Sequence, residues 1–235
     1  MPCYEPAAGW SGPVIEGYKD LCKALPDVPL HLILVNDGSR NGIFEKELPA
    51  IQHNIPFLTV EQYAENRGKG YALRAGVARS TATYCIYTDI DIPYQLNSMI
   101  KVYEALIKGN DVAAGVKDAD YYTHVPTGRK FVSRMLRALS KRLLGLRISD
   151  TQCGLKGFNT KGKQIFADTH IDRYLFDLEF IWMCSHNNDV QLTAVPVTLR
   201  PGVQFSHMRM NILFTEAGNF IRILFSNRRR KGNAQ

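Results

Sequence analysis

Tyr84-Cys85-Ile86-Tyr87-Thr88-Asp89-Ile90-Asp91 runs an apolar strand straight into two acids spaced i, i+2. In open α/β sheets, ligands bind outside the carboxyl ends of the strands, so a strand ending in paired carboxylates marks a candidate site. Two carboxylates so placed can hold Mg²⁺ or Mn²⁺, ions that take oxygen ligands and bridge to substrate phosphates. The D-x-D spacing alone is equally compatible with a pair of loop acids in solvent.

Working outward, short β-rich runs alternate with longer helical patterns over residues 10–115, as expected of βαβ units and a mostly parallel sheet. Residues 30–35, 56–60, 84–88 and 112–115 read as strands, and 14–25, 70–79 and 96–107 as helices. Ile100, Tyr103, Ala105 and Leu106 are available to cover the sheet. The second half is less regular, with a long helix expected near 128–144, a strand near 155–159, a helix near 176–185 and a strand near 190–199. Met1-Pro2-Cys3-Tyr4-Glu5 reads as the end of a strand and its loop, so the first strand is expected to be truncated. No repeat or linker divides the chain, which predicts one domain with residues 1–117 on the nucleotide side, 118–210 on the acceptor side and 211–235 as a basic amphipathic tail.

The 235 residues suffice for a single packed domain, and 45% hydrophobic with 22% charged residues is a globular composition. Five cysteines without CxxC pairing argue against a disulfide framework or a zinc site. No run of about 18 apolar residues and no signal-peptide pattern is present, which predicts a cytoplasmic protein. The net charge of +7 is concentrated in residues 129–147 and 222–231; without their twelve bases, 17 bases face 22 acids, a balance of −5. An anionic surface or ligand facing those segments fits this pattern better than a nucleic acid does. Phe131, Met135, Leu139 and Leu143 recur every four residues beside Lys130, Arg134, Arg137 and Lys141. That spacing suits a basic amphipathic helix docked on anionic lipid, or a core-facing helix with a solvated basic side.

Two more segments carry candidate chemistry. Asp37 ends the strand before Gly38-Ser39, where it can accept hydrogen bonds from a nucleoside base or ribose, or form an Asx-turn. Asn66-Arg67-Gly68-Lys69-Gly70 is a polar glycine loop opening a helix, suited to placing cations and backbone N–H groups near phosphate. It matches neither the P-loop nor the dinucleotide fingerprint.

In order and spacing, Pro2-x-Tyr4-Glu5, Asn36-Asp37-Gly38-Ser39, Asn66-Arg67-Gly68-Lys69-Gly70 with Ala75-Gly76, and Asp89-x-Asp91 resemble the nucleotide-binding half of family 2 glycosyltransferases. The resemblance implies an α/β GT-A (Rossmann-like) fold, with a mixed, mostly parallel central sheet and flanking helices. It implies a nucleotide-sugar site at Pro2, Tyr4, Glu5, Asp37, Arg67, Lys69 and Asp89, and Mg²⁺ or Mn²⁺ at Asp89 and Asp91. Glu5-Pro6 stands where the family usually has Asn-Glu, a departure that touches the nucleotide-base contact.

Asp150-Thr151-Gln152-Cys153-Gly154-Leu155-Lys156-Gly157-Phe158 and Phe176-Asp177-Leu178-Glu179 are similar to blocks of polyprenyl-phosphate glycosyltransferases of the dolichyl-phosphate glucose and mannose synthase type. The Gln-Cys-Gly-x-Lys form is closer to the glucosyl members. This implies UDP-glucose as donor, ahead of GDP-mannose, and a polyprenyl phosphate as acceptor at the cytoplasmic face of a membrane. Lys117, Arg129, Ser133, Arg134 and Gln152 would hold the acceptor. An inverting displacement on a hydroxyl acceptor would need a general base, for which Asp150, Asp177 and Glu179 are candidates. A phosphate monoester, with a second pKa of about 6, needs none. Catalytic roles accordingly fall to Asp91, Asp177, Asp150 and Arg129. Gln95 is a candidate for a further metal oxygen. A transferase acting on a saccharide hydroxyl, a non-catalytic scaffold on the same fold and a nucleotidyltransferase are the competing readings.

Overall fold

The computed structural model describes residues 1–117, 141–148, 150–201, 218–220 and 223. Among the described residues, these elements follow in chain order: β1 (Pro2–Cys3), α1 (Ser11–Ala24), β2 (Leu32–Asp37), α2 (Ile43–Asn54), β3 (Leu58–Tyr63), α3 (Lys69–Ala78), β4 (Cys85–Tyr87), α4 (Leu96–Ile107), β5 (Val112–Lys117), β6 (Lys156–Phe158), α5 (Thr160–Ala167), α6 (Phe176–Ser185) and β7 (Leu192–Val197). Strands β1, β2 and β3 form a parallel sheet in that order, and β4-β6-β5-β7 form a second. There β5 and β7 are parallel, and β6 runs antiparallel to both of its neighbours. The mixed, mostly parallel architecture expected from the sequence is therefore present.

The sheets share their packing. One apolar cluster joins Cys3 and Leu34 of the first sheet to Ala113 and Val195 of the second and to Leu155 just before β6, with Val14, Phe44, Val102 and Leu106 supplied by α1, α2 and α4. Another packs α5 and α6 against β4, β5 and β6. Its centre is aromatic: Phe158 stacks on Phe166 at 5.1 Å, and Phe180 meets Phe166 edge-on at 5.0 Å. Such offset and edge contacts suit the ring quadrupoles and fix the helices in angle as well as in depth.

Two helices were not anticipated. Pro49 interrupts the helical reading of α2, and Gly42 enters that helix at φ 71°. The first turn of a helix tolerates Pro, whereas an interior Pro usually ends one; here buried Phe44 and Ile51 anchor the segment on both sides of it. Helix α5 is short, and its signal is Asn159, whose side chain accepts from Lys161 N and Gly162 N as an N-cap. The long helix expected near 128–144 lies mostly outside the described residues. At its described end Leu144 is buried while Leu143 is exposed beside Lys141 and Arg142. Arg147, counted among the bases of that segment, instead turns its guanidinium to the carbonyls of Val190 (3.0 Å) and Asn187 (3.3 Å).

The antiparallel course of β6 positions the site. Asp37, Asp89 and Lys117 lie at or just beyond the carboxyl ends of β2, β4 and β5. Because β6 runs the other way, the residues that enter it, Gln152-Cys153-Gly154, arrive at that same edge.

Candidate functional site

The two acids of Asp89-Ile90-Asp91 sit on a tight turn closed by Ile92 N donating to Asp89 O at 3.1 Å. Ile92 adopts φ 43°, a left-handed conformation that a β-branched residue rarely takes. Its side chain is buried against α1 so closely that a Cβ on Gly17 would lie 2.7 Å from Ile92 Cδ1. Burial of a whole isoleucine side chain, about 1.5–3 kcal/mol, offsets strain of about 1–3 kcal/mol. The turn keeps Asp91 exposed and Asp89 partly sheltered.

Lys69, the first residue of α3, forms an ion pair with Asp89 Oδ1. Burial acts to lower the Lys69 pKa, but the carboxylates of Asp89, Asp177 and Asp91 outweigh it and hold the ammonium above its ordinary value. Partial desolvation within the cleft, and then the neighbouring charge of Asp89, raise the Asp91 carboxyl above the usual range. Negative charge is thus concentrated at the turn beyond what Lys69 compensates.

Gly154 forms a wall beside it. A Cβ at this position would overlap Asp89 Oδ2, so no other residue fits without displacing the carboxylate. Gly154 N donates to Tyr94 Oη at 2.8 Å, and Cys153 Sγ lies 3.3 Å from the same oxygen. Behind this wall, Lys156 is fully buried and donates from Nζ to Cys153 O and to Asp177 Oδ1, both at 2.5 Å. Tyr87, opposite Lys156 across the β4–β6 pairing, donates to Asp177 Oδ1 at 2.5 Å. The sequence singled out Asp89, Asp177 and the Gln-Cys-Gly-x-Lys block, but gave no role to Lys156 within that block or to Tyr87 and Tyr94, which connect them.

Asp37, expected to contact the nucleoside, is engaged within the protein. Its carboxylate is buried and accepts four hydrogen bonds from the protein. Tyr63 Oη (2.8 Å) and Arg67 N (2.8 Å) donate to Oδ1, and Asn66 Nδ2 (2.8 Å) and Gly68 N (3.0 Å) to Oδ2. A carboxylate offers about four lone-pair sites, and four protein donors meet them here, so Asp37 shapes the glycine loop from beneath.

The glycine loop is tied down from within in the same way. Arg67 N and Gly68 N go to Asp37, while Gly70 N (2.7 Å) and Tyr71 N (3.3 Å) go to Asp172 O. A side chain at Gly68 or Gly70 would collide with the backbone of 171–172. These four amides are spent inside the protein, and the loop offers a ligand its cations, Lys69 and exposed Arg67. The guanidinium of Arg67 lies 4.1 Å from the Tyr71 ring centroid. Arg74 ties the same loop to Thr169 Oγ1 (3.2 Å) and Ile171 O (3.1 Å).

On the acceptor side, each candidate base is already engaged. Asp177 is held by Lys156 and Tyr87. Glu179 Oε2 accepts from His170 N (2.9 Å) and Ile171 N (2.8 Å). Buried Asp150 accepts from Lys117 N at 3.0 Å, fixing the end of β5. Gln152 is exposed next to the wall. Tyr4 is exposed, and Glu5 accepts from Arg40 N at 2.9 Å while its own N donates to Ser39 Oγ at 3.0 Å. Pro2 lies in β1 opposite Val35. Gln95 sends Nε2 to Leu199 O at 3.2 Å, starting α4 rather than reaching the turn. Arg129, Ser133 and Arg134 lie outside the described residues.

The turn fits a divalent cation. It supplies two hard oxygen donors, a raised Asp91 carboxyl that a cation would relieve, and a side-chain-free wall at Gly154 that leaves the Asp89 oxygens room. Among the described residues no third acid, histidine or cysteine joins them, so most of an ion's oxygen positions are left to phosphate and water. Mn²⁺ alone should therefore bind weakly, and about ten- to hundredfold more tightly with UDP present. As pH falls, protons should compete for Asp91 earlier than for an ordinary carboxylate. Titrating Mn²⁺ with and without UDP checks this, and equal affinities would contradict it.

Residues 11–164, more than half of the chain, match the sequence model of glycosyl transferase family 2. A dolichyl-phosphate beta-glucosyltransferase of Dictyostelium discoideum is 28% identical over 170 residues, covering 67% of this chain and 51% of that protein. That of Drosophila melanogaster is 27% identical over 173 residues, covering 68% and 53%. The chain spans about half the length of the curated relatives it matches. Among solved structures, glucosyl-3-phosphoglycerate synthase from Mycobacterium tuberculosis in complex with Mg²⁺ and uridine diphosphate superposes with a TM-score of 0.63 at 16% identity, covering 96% of this chain and 78% of that one. Mannosyl-3-phosphoglycerate synthase from Rubrobacter xylanophilus gives 0.63 at 12% identity, covering 99% and 74%. At these identities the structural likeness is one of fold.

Proposed function

Because the chain belongs to glycosyl transferase family 2, we propose that it is an inverting, metal-dependent glycosyltransferase that moves glucose from UDP-glucose to a polyprenyl phosphate at an anionic membrane surface. The observation that carries this reading is the turn Asp89–Asp91, flanked by Lys69 and walled by Gly154. It gathers the acid pair, a cation and the Gln-Cys-Gly block on one edge of the fold. Glucose is favoured by that block and by relatives named dolichyl-phosphate beta-glucosyltransferase.

A divalent cation held by Asp89 and Asp91 would stabilise the charge that develops on the diphosphate leaving group. Lys69 and Arg67 add positive charge on the same side, where the nucleotide diphosphate would lie. The acceptor oxygen attacks the anomeric carbon from the face opposite the diphosphate; the new C–O bond forms as the bond to the β-phosphate oxygen breaks, and UDP leaves. Every described carboxylate put forward as a general base is engaged within the protein, which favours an acceptor that needs none. A phosphate monoester is such an acceptor, being largely dianionic near pH 7. Exposed Leu143 beside Lys141 and Arg142 supports a membrane-facing role for the basic segment. Among the described residues no helix is long and apolar enough to cross a membrane.

The test measures transfer of labelled sugar from UDP-glucose and from GDP-mannose, with polyprenyl phosphate or a soluble saccharide as acceptor. Transfer from UDP-glucose to the lipid phosphate is expected, and preferred transfer to the saccharide hydroxyl would overturn the acceptor reading. Replacing both Arg129 and Arg134 by alanine removes two charge-assisted contacts of about 1.5–3 kcal/mol each. Lipid transfer should fall by about a hundredfold or more, with UDP affinity unchanged because these cations act on the acceptor. Normal transfer by that variant would remove both arginines from the acceptor site.

A further inference from the structure

We propose that Lys156, Asp177 and Tyr87 form a buried positioning group that fixes the Gln152–Gly154 wall against Asp89, and so sets the geometry in which the turn meets a nucleotide diphosphate. The inference rests on the glycosyltransferase reading of the site, since it assigns the group a purpose in donor binding.

The peptide group between Cys153 and Gly154 is held at both of its polar atoms. Lys156 Nζ binds its carbonyl at 2.5 Å, and Tyr94 Oη accepts from its N–H at 2.8 Å. A peptide pinned on both edges cannot rotate about its long axis, and the carbon it carries, Gly154 Cα, abuts the carboxylate of Asp89. Rotation of that plane would either open a gap beside Asp89 or push its oxygens across the turn.

Lys156 can hold the carbonyl only if its own charge is satisfied, because the residue is fully buried. Asp177 satisfies it from the first turn of α6, where the helix dipole favours a negative charge. Tyr87 then occupies the same oxygen of Asp177 and, two residues before Asp89, ties β4 to the group. A buried ion pair seldom stabilises a fold more than apolar residues of the same volume would. Global stability alone therefore gives little reason for this one, whereas placing the Cys153 carbonyl requires a buried donor on this strand. Asp177 thereby becomes a positioning residue rather than a proton acceptor.

The double variant Lys156→Met/Asp177→Asn separates the two roles. It removes both charges together, keeps the side-chain volumes and leaves Tyr87 an acceptor, so its melting temperature should stay near that of the parent. Outer-shell partners of metal ligands commonly change affinity by 10–100-fold, so its affinity for UDP in the presence of Mn²⁺ should fall by about tenfold or more. UDP affinity equal to the parent's in this folded variant would overturn the proposal. Should the variant fail to fold, Tyr87→Phe, which removes one hydroxyl and keeps the ring, decides instead: several-fold weaker Mn²⁺-dependent UDP binding supports the proposal and parent affinity refutes it. Failure of the lipid-phosphate reading would look different, as absent lipid transfer by the parent with its UDP binding intact.

Discussion

Replacing Asp91 by alanine should lower sugar transfer by roughly two to three orders of magnitude, the usual cost of losing one group that stabilises developing charge, and leave the melting temperature unchanged. The residue is exposed, and among the described residues its carboxylate makes no ion pair. The backbone of the turn is held by the burial of Ile92, not by Asp91. Desolvation and then the charge of Asp89 outweigh the Lys69 charge and a backbone hydrogen bond in disfavouring the ionised form, so a neutral side chain forfeits no net electrostatic stabilisation in the folded protein. Asp89→Ala should differ, since it strands Lys69 and opens space beside Gly154, and so should lose both activity and stability. Transfer rates and thermal melts of the two variants check the contrast. Full activity of Asp91→Ala would remove the acid pair from the mechanism.

That contrast between two acids of one motif marks where sequence reading ends. The strand before Asp89 was legible because an apolar run ended abruptly in acids, and α4 because its apolar residues recur at the helical period. Helix α2 was hidden by Pro49, although Phe44, Leu48, Ile51 and Ile55 recur at a spacing that could have revealed it. The direction of β6 was not legible, because three residues carry no register and its antiparallel course is set by both neighbours. The acids themselves were found, but not their duties. Asp37, Asp150, Asp177 and Glu179 all lie near the site, and in each case the partner that defines the duty is 8 to 33 residues away in sequence. Burial and pairing give these carboxylates partners within the fold, while Asp91 stays exposed on its turn with the charges of Asp89 and Lys69 nearby.

Asp37→Asn should lower the melting temperature by roughly 5–15 °C, a large effect for an exchange of one oxygen for nitrogen. The carboxylate accepts from Tyr63 Oη and Arg67 N on one oxygen and from Asn66 Nδ2 and Gly68 N on the other. An amide has only one acceptor atom, so one of these pairs must face its NH₂ group. The hydroxyl of Tyr63 can turn to accept, and the amide of Asn66 can flip, but Arg67 N and Gly68 N are backbone donors and can do neither. Whichever way the new side chain points, one backbone N–H loses its partner and the remaining bonds lose their charge. Together this costs about 2–4 kcal/mol. Gly38 leaves the loop no room to relax, because a Cβ there would already lie 2.5 Å from the backbone carbon of Glu65. UDP affinity should weaken as well, as a consequence of a loosened loop that carries Arg67 and Lys69. A melting temperature equal to the parent's, with UDP binding selectively weakened, would instead return Asp37 to the role of a direct nucleoside contact.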